Sequence, residues 1–211
     1  MPLEYEYRYS NNYNRQEIIK KIIELGGKKQ GHYIFKIITF IHPLSVENTY
    51  IRVRDEGHRI TMTYKNRTNK EFENENEVII NNFDEGVKIL LGIGCKKRYY
   101  YEKLREIYHI GYTEICWDTN PGSYDIMEIE SKTKKELDII VNKLGLSDKE
   151  HNNFKDNDLY KENFGIEIPA VDLTFDNMKR LLFPLVTKNK EEFNKLVNLQ
   201  KKLYDRLKNK I

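Results

Sequence analysis

The chain has 211 residues, 33% charged and 39% hydrophobic, with a net charge of +3. That length supports one domain plus an appendage and a core that needs no staples, and 15 Tyr with 9 Phe excludes a disordered chain. The near-neutral charge gives no argument for nucleic acid or a membrane surface, and Cys95 and Cys116, far apart, exclude a disulfide framework.

No apolar run approaches a membrane span, and Met1-Pro2-Leu3-Glu4 lacks the start of a signal peptide. The expectation is a soluble cytoplasmic protein in a reducing compartment. Residues 3–9 alternate Leu3, Tyr5, Tyr7 and Tyr9 against Glu4, Glu6 and Arg8, which is strand period with one apolar and one charged face. Residues 14–25 carry Ile18, Ile19, Ile22 and Ile23 at helical spacing, and Gly26-Gly27 ends that helix. Residues 32–41 read as an aromatic, β-branched strand closed by Pro43.

Residues 49–54 and 59–65 form a hairpin about Asp55-Glu56-Gly57-His58, with Arg52 and Arg54 on one face of the first strand and Lys65 on the second. Residues 71–80 line up Glu71, Glu73, Glu75 and Glu77, and residues 83–92 form a short helix. A long β stretch over 95–109 contains Lys96-Lys97-Arg98 and Arg105. Residues 112–118 set Glu114, Cys116 and Asp118 against Ile115 and Trp117, and residues 124–130 set Glu128 and Glu130 against Met127 and Ile129. A helix over 133–144 ends at Gly145, residues 147–166 are loop with a short helix, and residues 174–183 and 189–208 are predicted helices.

A single charged strand face is ordinarily a wet one. Here Glu4/Glu6/Arg8, Arg52/Arg54, Lys65, Glu73/Glu75, Arg98, Asp118 and Glu128/Glu130 lie on seven strands whose opposite faces are apolar. A closed barrel brings all seven charged faces to one lumen and turns the apolar faces outward against helices. Carboxylates crowded there are relieved by a hard divalent cation such as Mg²⁺ or Mn²⁺. Arginines are relieved by a polyanion whose oxygens match the guanidinium fork. Metal and polyanion together suit phosphoryl transfer.

In this order the residues resemble the CYTH superfamily, the triphosphate tunnel metalloenzymes. Its Glu-x-Glu-x-Lys strand is matched by Glu4-Tyr5-Glu6-Tyr7-Arg8, with Arg in place of the final Lys. Arg52-Val53-Arg54, Lys65, Glu73-Asn74-Glu75, Lys97-Arg98, Asp118 and Glu128-Ile129-Glu130 match its later motifs, and the match runs to about residue 146 with a weaker tail.

The resemblance implies a mainly β, α+β fold: an eight-stranded antiparallel closed β-barrel over 1–166, helices packed outside, and a C-terminal helical extension over 167–211. It implies a metal-dependent triphosphatase acting on inorganic triphosphate, a nucleotide, thiamine triphosphate or an RNA 5′ end. The alternatives are a class IV-like adenylyl cyclase making cyclic AMP and pyrophosphate, and a non-catalytic polyphosphate-binding module. Mg²⁺ or Mn²⁺ is expected on Glu4, Glu6, Glu128 and Glu130, with Asp118 and Glu75. Arg8, Arg52, Arg54, Lys65, Lys97, Arg98 and Arg105 are expected on phosphates, and Glu4, Glu6 and Arg8 at the reaction. Arg8 cannot lose a proton at working pH, so it is expected to hold the glutamates and a terminal phosphate oxygen. No membrane partner is expected; the helix at 189–208 is expected to cap the barrel and is a candidate contact for a homodimer.

Overall fold

The computed structural model describes residues 3–10, 12–44, 47–66, 73–152 and 154–210, without the side chains of Leu3, Glu4, Glu73 and Asn74. Alternation produces eight strands: β1 (Leu3–Ser10), β2 (Lys28–Ile41), β3 (Thr49–Asp55), β4 (Ile60–Asn66), β5 (Glu73–Ile80), β6 (Lys96–Ile110), β7 (Thr113–Thr119) and β8 (Ile126–Ser131). All neighbours are antiparallel, and the sheet closes as β1-β5-β4-β3-β2-β6-β7-β8. The expected eight-stranded antiparallel barrel is the observed one.

Three helices pack outside, at the places their periodicity and caps predict: α1 (Arg15–Glu24), α2 (Phe83–Gly92) and α3 (Lys134–Leu144). Asn14, Asn82 and Thr133 each accept first-turn N–H groups through their side chains. Gly145 ends α3 with φ of 74°, in the left-handed region. The apolar strand faces point outward. Tyr9, Ile115, Trp117, Met127 and Ile129 pack with Ile18 and Ile22 of α1 and Leu137, Ile140 and Val141 of α3. Phe40 and Val53 pack with Leu90 of α2.

Two elements differ from their predicted lengths. β2 starts at Lys28, earlier than the pattern shows, because it follows β6 past a register shift between Lys29 and Gly31. The helix expected over 174–183 shrinks to α5 (Met178–Leu182) and a 3₁₀ turn, Phe183–Leu185. Thr174 and Asn177 exchange side-chain bonds with each other's backbone N–H at 2.8 and 3.1 Å, and these local bonds replace the first helical turn.

The remaining helices are α4 (Asp156–Phe164) and α6 (Lys190–Lys208). Tyr160, Phe164 and Ile166 share one apolar cluster with Leu173, Phe175, Phe193, Val197 and Tyr204, laid over Ile34 and Leu104 of the barrel. The division expected at residue 166 falls inside this cluster. Gln200 of α6 accepts from the N–H of Gly122 at 2.8 Å and donates to the carbonyl of Ser123 at 2.7 Å. Buried Glu102 of β6 accepts from the N–H of Phe175 at 3.1 Å and from the hydroxyls of Tyr100 and Tyr204 at 3.2 and 3.4 Å. Among the described residues no helix is long and apolar enough to cross a membrane.

Candidate functional site in the barrel lumen

The barrel encloses a cavity of about 750 Å³. Alternation sends Glu6 and Arg8 of β1, Arg52 and Arg54 of β3, Lys65 of β4, Glu75 of β5, Arg105 of β6, and Glu128 and Glu130 of β8 to its lining. Arg98 also lines it, out of phase with Arg105. It is the extra residue of a bulge, because Thr39 faces Tyr99 while Phe40 faces Lys97. Lys97 is turned outward and pairs with Asp172 at 2.7 Å. Asp118 lies beneath the lining, buried under Arg105 and Lys103. The Glu4 side chain lies outside the described residues.

Sequence reasoning passed over several lining residues. Lys103, Glu77 and Glu114 share strand faces with Arg105, Glu75 and Asp118, so alternation signals them. Glu56, Arg59, Phe154 and Asp156 come from loops and a helix start, and no strand pattern marks them.

One wall carries carboxylates in facing positions. Glu6 of β1 sits directly opposite Glu130 of β8, which sits directly opposite Glu114 of β7. One step along, Arg8 faces Glu128. Like charges opposite each other on neighbouring strands are destabilising unless a cation intervenes. The other wall spaces its cations: Arg52 faces Thr63, and Arg54 faces Thr61. Glu75 faces Lys65 and pairs with it, and Arg52 reaches Glu75 at 3.5 Å.

Ion pairs tie the walls together. Arg105 bonds Asp118 through two nitrogens at 2.6 and 2.5 Å and reaches Glu128 at 2.6 Å. Burial pushes the Asp118 carboxyl up, but Arg105 and Lys103 outweigh burial and hold it well below the usual range. Burial likewise raises Glu75, and Lys65 and Arg52 outweigh it, leaving the group lowered. Glu56, 2% exposed, binds Arg54 at 2.5 Å and Arg59 at 2.7 Å. Burial lowers Arg54, and neighbouring Arg52 adds to that. Among the described residues, several buried donors of the cationic wall have no hydrogen-bond partner: Nε of Arg52, Nε of Arg54, and the hydroxyls of Thr39 and Thr61. Unpaired buried donors are costly, and an anion in the cavity supplies acceptors.

The acidic wall offers a cation carboxylate oxygens, the ligands hard divalent ions take. Cys116, Asp118 and Glu128 each place one ligand atom within 4.8 Å of the others. Asp118 already holds Arg105 and Lys103, and burial raises the Cys116 thiol well above its usual range. A protonated thiol is a poor ligand for a hard ion.

The CYTH domain model matches residues 4–152. The chain belongs to the CYTH family. Solved structures share the fold. A protein of Pyrococcus horikoshii, 22% identical, has a TM-score of 0.60 and covers 75% of this chain and 99% of its own. A candidate adenylate cyclase of Vibrio parahaemolyticus, 14% identical, has a TM-score of 0.63 over 75% of this chain and 98% of its own. A Hippeastrum protein with dominant triphosphatase activity, 14% identical, has a TM-score of 0.50 over 81% of this chain and 99% of its own. No curated protein matches the chain in sequence.

Proposed function

We propose that this CYTH protein is a metal-dependent triphosphatase that binds a linear triphosphate in its barrel. The observation that carries the reading is the set of buried donors on β2 and β3, without hydrogen-bond partners among the described residues, across one cavity from a wall of glutamates. A pure anion binder has no use for the glutamate row, and a pure cation site has no use for the orphaned guanidinium nitrogens.

In this reading Arg52, Arg54, Lys65, Lys103 and Arg105 take the non-bridging phosphate oxygens, with Arg98 at the cavity edge. Each cation then exchanges part of its carboxylate contact for phosphate. Glu6 and Glu130 would hold Mg²⁺ or Mn²⁺, which would supply charge neutralisation at the phosphate oxygens, while Glu128 stays on Arg8 and Arg105. Glu75 is committed to Lys65 and Arg52, and Asp118 to Arg105 and Lys103. We assign these two to orienting cations. Lys97, paired on the outer surface, is left out of the phosphate set.

Water attacks the terminal phosphorus, the bond from that phosphorus to the bridging oxygen breaks, and the developing charge falls on the cationic wall. Burial would lower the Arg8 guanidinium, but Asp156, Glu128 and Glu6 outweigh burial and raise it. Arg8 therefore keeps its protons and serves as a clamp, and a lumen carboxylate takes the proton from water.

The test is incubation with Mg²⁺ or Mn²⁺ and, separately, ATP, inorganic triphosphate, thiamine triphosphate and 5′-triphosphate RNA. Phosphate, pyrophosphate and cyclic AMP are followed together. Phosphate release is expected. Cyclic AMP with pyrophosphate from ATP would replace the reading with a cyclase, and tight binding without product would replace it with a binding module.

A further inference from the structure

Asn152, Phe154 and Asp156 lie at and just past the end of the family match, yet they contact the β1 strand on which the signature sits. The Asn152 side chain accepts from the Arg8 N–H at 2.8 Å and donates to the Glu6 carbonyl at 3.1 Å. The Asn152 N–H donates to the Arg8 carbonyl at 3.0 Å. The Phe154 ring lies 5.3 Å from the Arg8 guanidinium carbon. Asp156, in the first turn of α4, takes Arg8 Nη2 in a hydrogen-bonded ion pair, while Glu128 accepts from Arg8 Nε at 3.1 Å. Asn120 donates to the second oxygen of Asp156 at 3.4 Å.

A lysine at position 8 would carry a compact charge on a flexible stem and need no second partner to orient it. A guanidinium is planar, and two carboxylates on two of its nitrogens fix that plane. Among the described residues no hydrogen bond engages Arg8 Nη1. With Nε on Glu128 and one N–H of Nη2 on Asp156, Nη1 is the nitrogen with both N–H groups left for a ligand in the cavity that Arg8 lines.

We infer that Asp156 is the positioning residue for Arg8: together with Glu128 it sets the guanidinium plane so that Nη1 meets the terminal phosphate, and the need for it comes from having Arg at the signature position. This rests on the triphosphate reading. It also gives the loop before α4 a task in the site, with Asn152 sewing it to β1 and Phe154 covering the guanidinium face.

A double-mutant cycle tests it, using the full-length chain with inorganic triphosphate and Mn²⁺. The four proteins are wild type, Asp156→Asn, Arg8→Lys and the double variant, with Asp156→Glu as rescue. Misplacing one clamp is expected to lower kcat for phosphate release about tenfold or more in Asp156→Asn, with KM changed less than about threefold. Asp156→Glu should restore most of the loss. In the Arg8→Lys background the same substitution should change kcat less than about twofold. Calorimetric affinity for inorganic triphosphate, measured on all four proteins, reads the same coupling without turnover.

An equal loss in both backgrounds, or none with Arg8 present, would overturn the inference while wild-type hydrolysis stands. If wild type binds triphosphate without cleaving it, the triphosphatase reading falls and the affinity cycle alone decides the role of Asp156. If wild type neither binds nor cleaves triphosphate, both fall. Thermal midpoints of the four proteins separate a folding defect, which would act in both backgrounds alike, from positioning.

Discussion

The acidic wall of β1, β8 and β7 and the basic wall of β3 and β4 solve the problem of charge in a closed barrel differently. On β3 and β4, each lumen arginine faces a threonine, and Lys65 faces its counter-ion Glu75. Neutralisation is built into the register. On β1, β8 and β7 the register puts Glu6, Glu130 and Glu114 side by side. Repulsion is built in instead. Among the described residues the basic wall keeps buried donors short of acceptors, whereas the acidic wall draws part of its positive charge from neighbouring side chains, with Arg8 3.6 Å from Glu6 and Arg105 3.5 Å from Glu114. Substitutions on the two walls should therefore move stability and cation binding in opposite senses.

The largest break is expected from Glu6→Ala. Losing a glutamate of the acidic row should weaken Mn²⁺ binding in calorimetry and cut turnover by at least about 100-fold. Full activity in this variant would end the cation assignment. Asp118→Asn comes next. It strips a buried partner from Arg105 and Lys103 and should cost about 3 kcal/mol in urea unfolding, since breaking a buried pair leaves uncompensated charge. Arg54→Met should cost less, about 2 kcal/mol, because Glu56 keeps Arg59.

The smallest effect has the opposite sign and separates the two walls most cleanly. Glu130→Gln relieves a like-charge pair, so without metal the protein should gain about 0.5 kcal/mol, read as a higher thermal midpoint in EDTA. Adding Mn²⁺ should stabilise wild type more than this variant.

Acid titration sharpens the same contrast. Asp118, Glu75 and Glu56 are all lowered by their cationic partners. A lowered carboxylate stabilises the fold above its unfolded pKa of about 4 and loses that contribution as pH falls through the folded value. Burial holds His32 down to about 4, so the folded state resists its protonation, and stability should already decline between about pH 6.5 and 4. Asp118→Asn should flatten the steep loss below pH 4 and leave the His32 decline in place, as measured by urea midpoints across the pH range.

The charged faces were legible because a strand exposes alternate residues, and seven such faces point to a shared lumen. That logic reached Glu6, Arg8, Arg52, Arg54, Lys65, Glu75, Arg98, Glu128 and Glu130, and Arg105 came with the resemblance. Carried one step further it also reaches Lys103, Glu77 and Glu114, which share those faces. It did not separate Lys97 from Arg98, where a bulge gives the lumen to Arg98 and the outer surface to Lys97. Alternation cannot see an inserted residue.

Glu56 and Asp156 were out of reach for another reason. Their places depend on where a turn and a helix start come to rest against the barrel, contacts made across the fold between residues far apart in sequence. Asp156 and Arg8 are 148 positions apart. By itself the sequence determined the strands, their inward faces and the three capped helices on the outside, because these follow from local period and capping, and it carried the family in the order of its charged motifs. Only the tertiary structure decided which charges meet. Register set glutamate against glutamate on one wall and arginine against threonine on the other, and loop packing brought Asp156 onto Arg8, where the resemblance leads one to expect Lys.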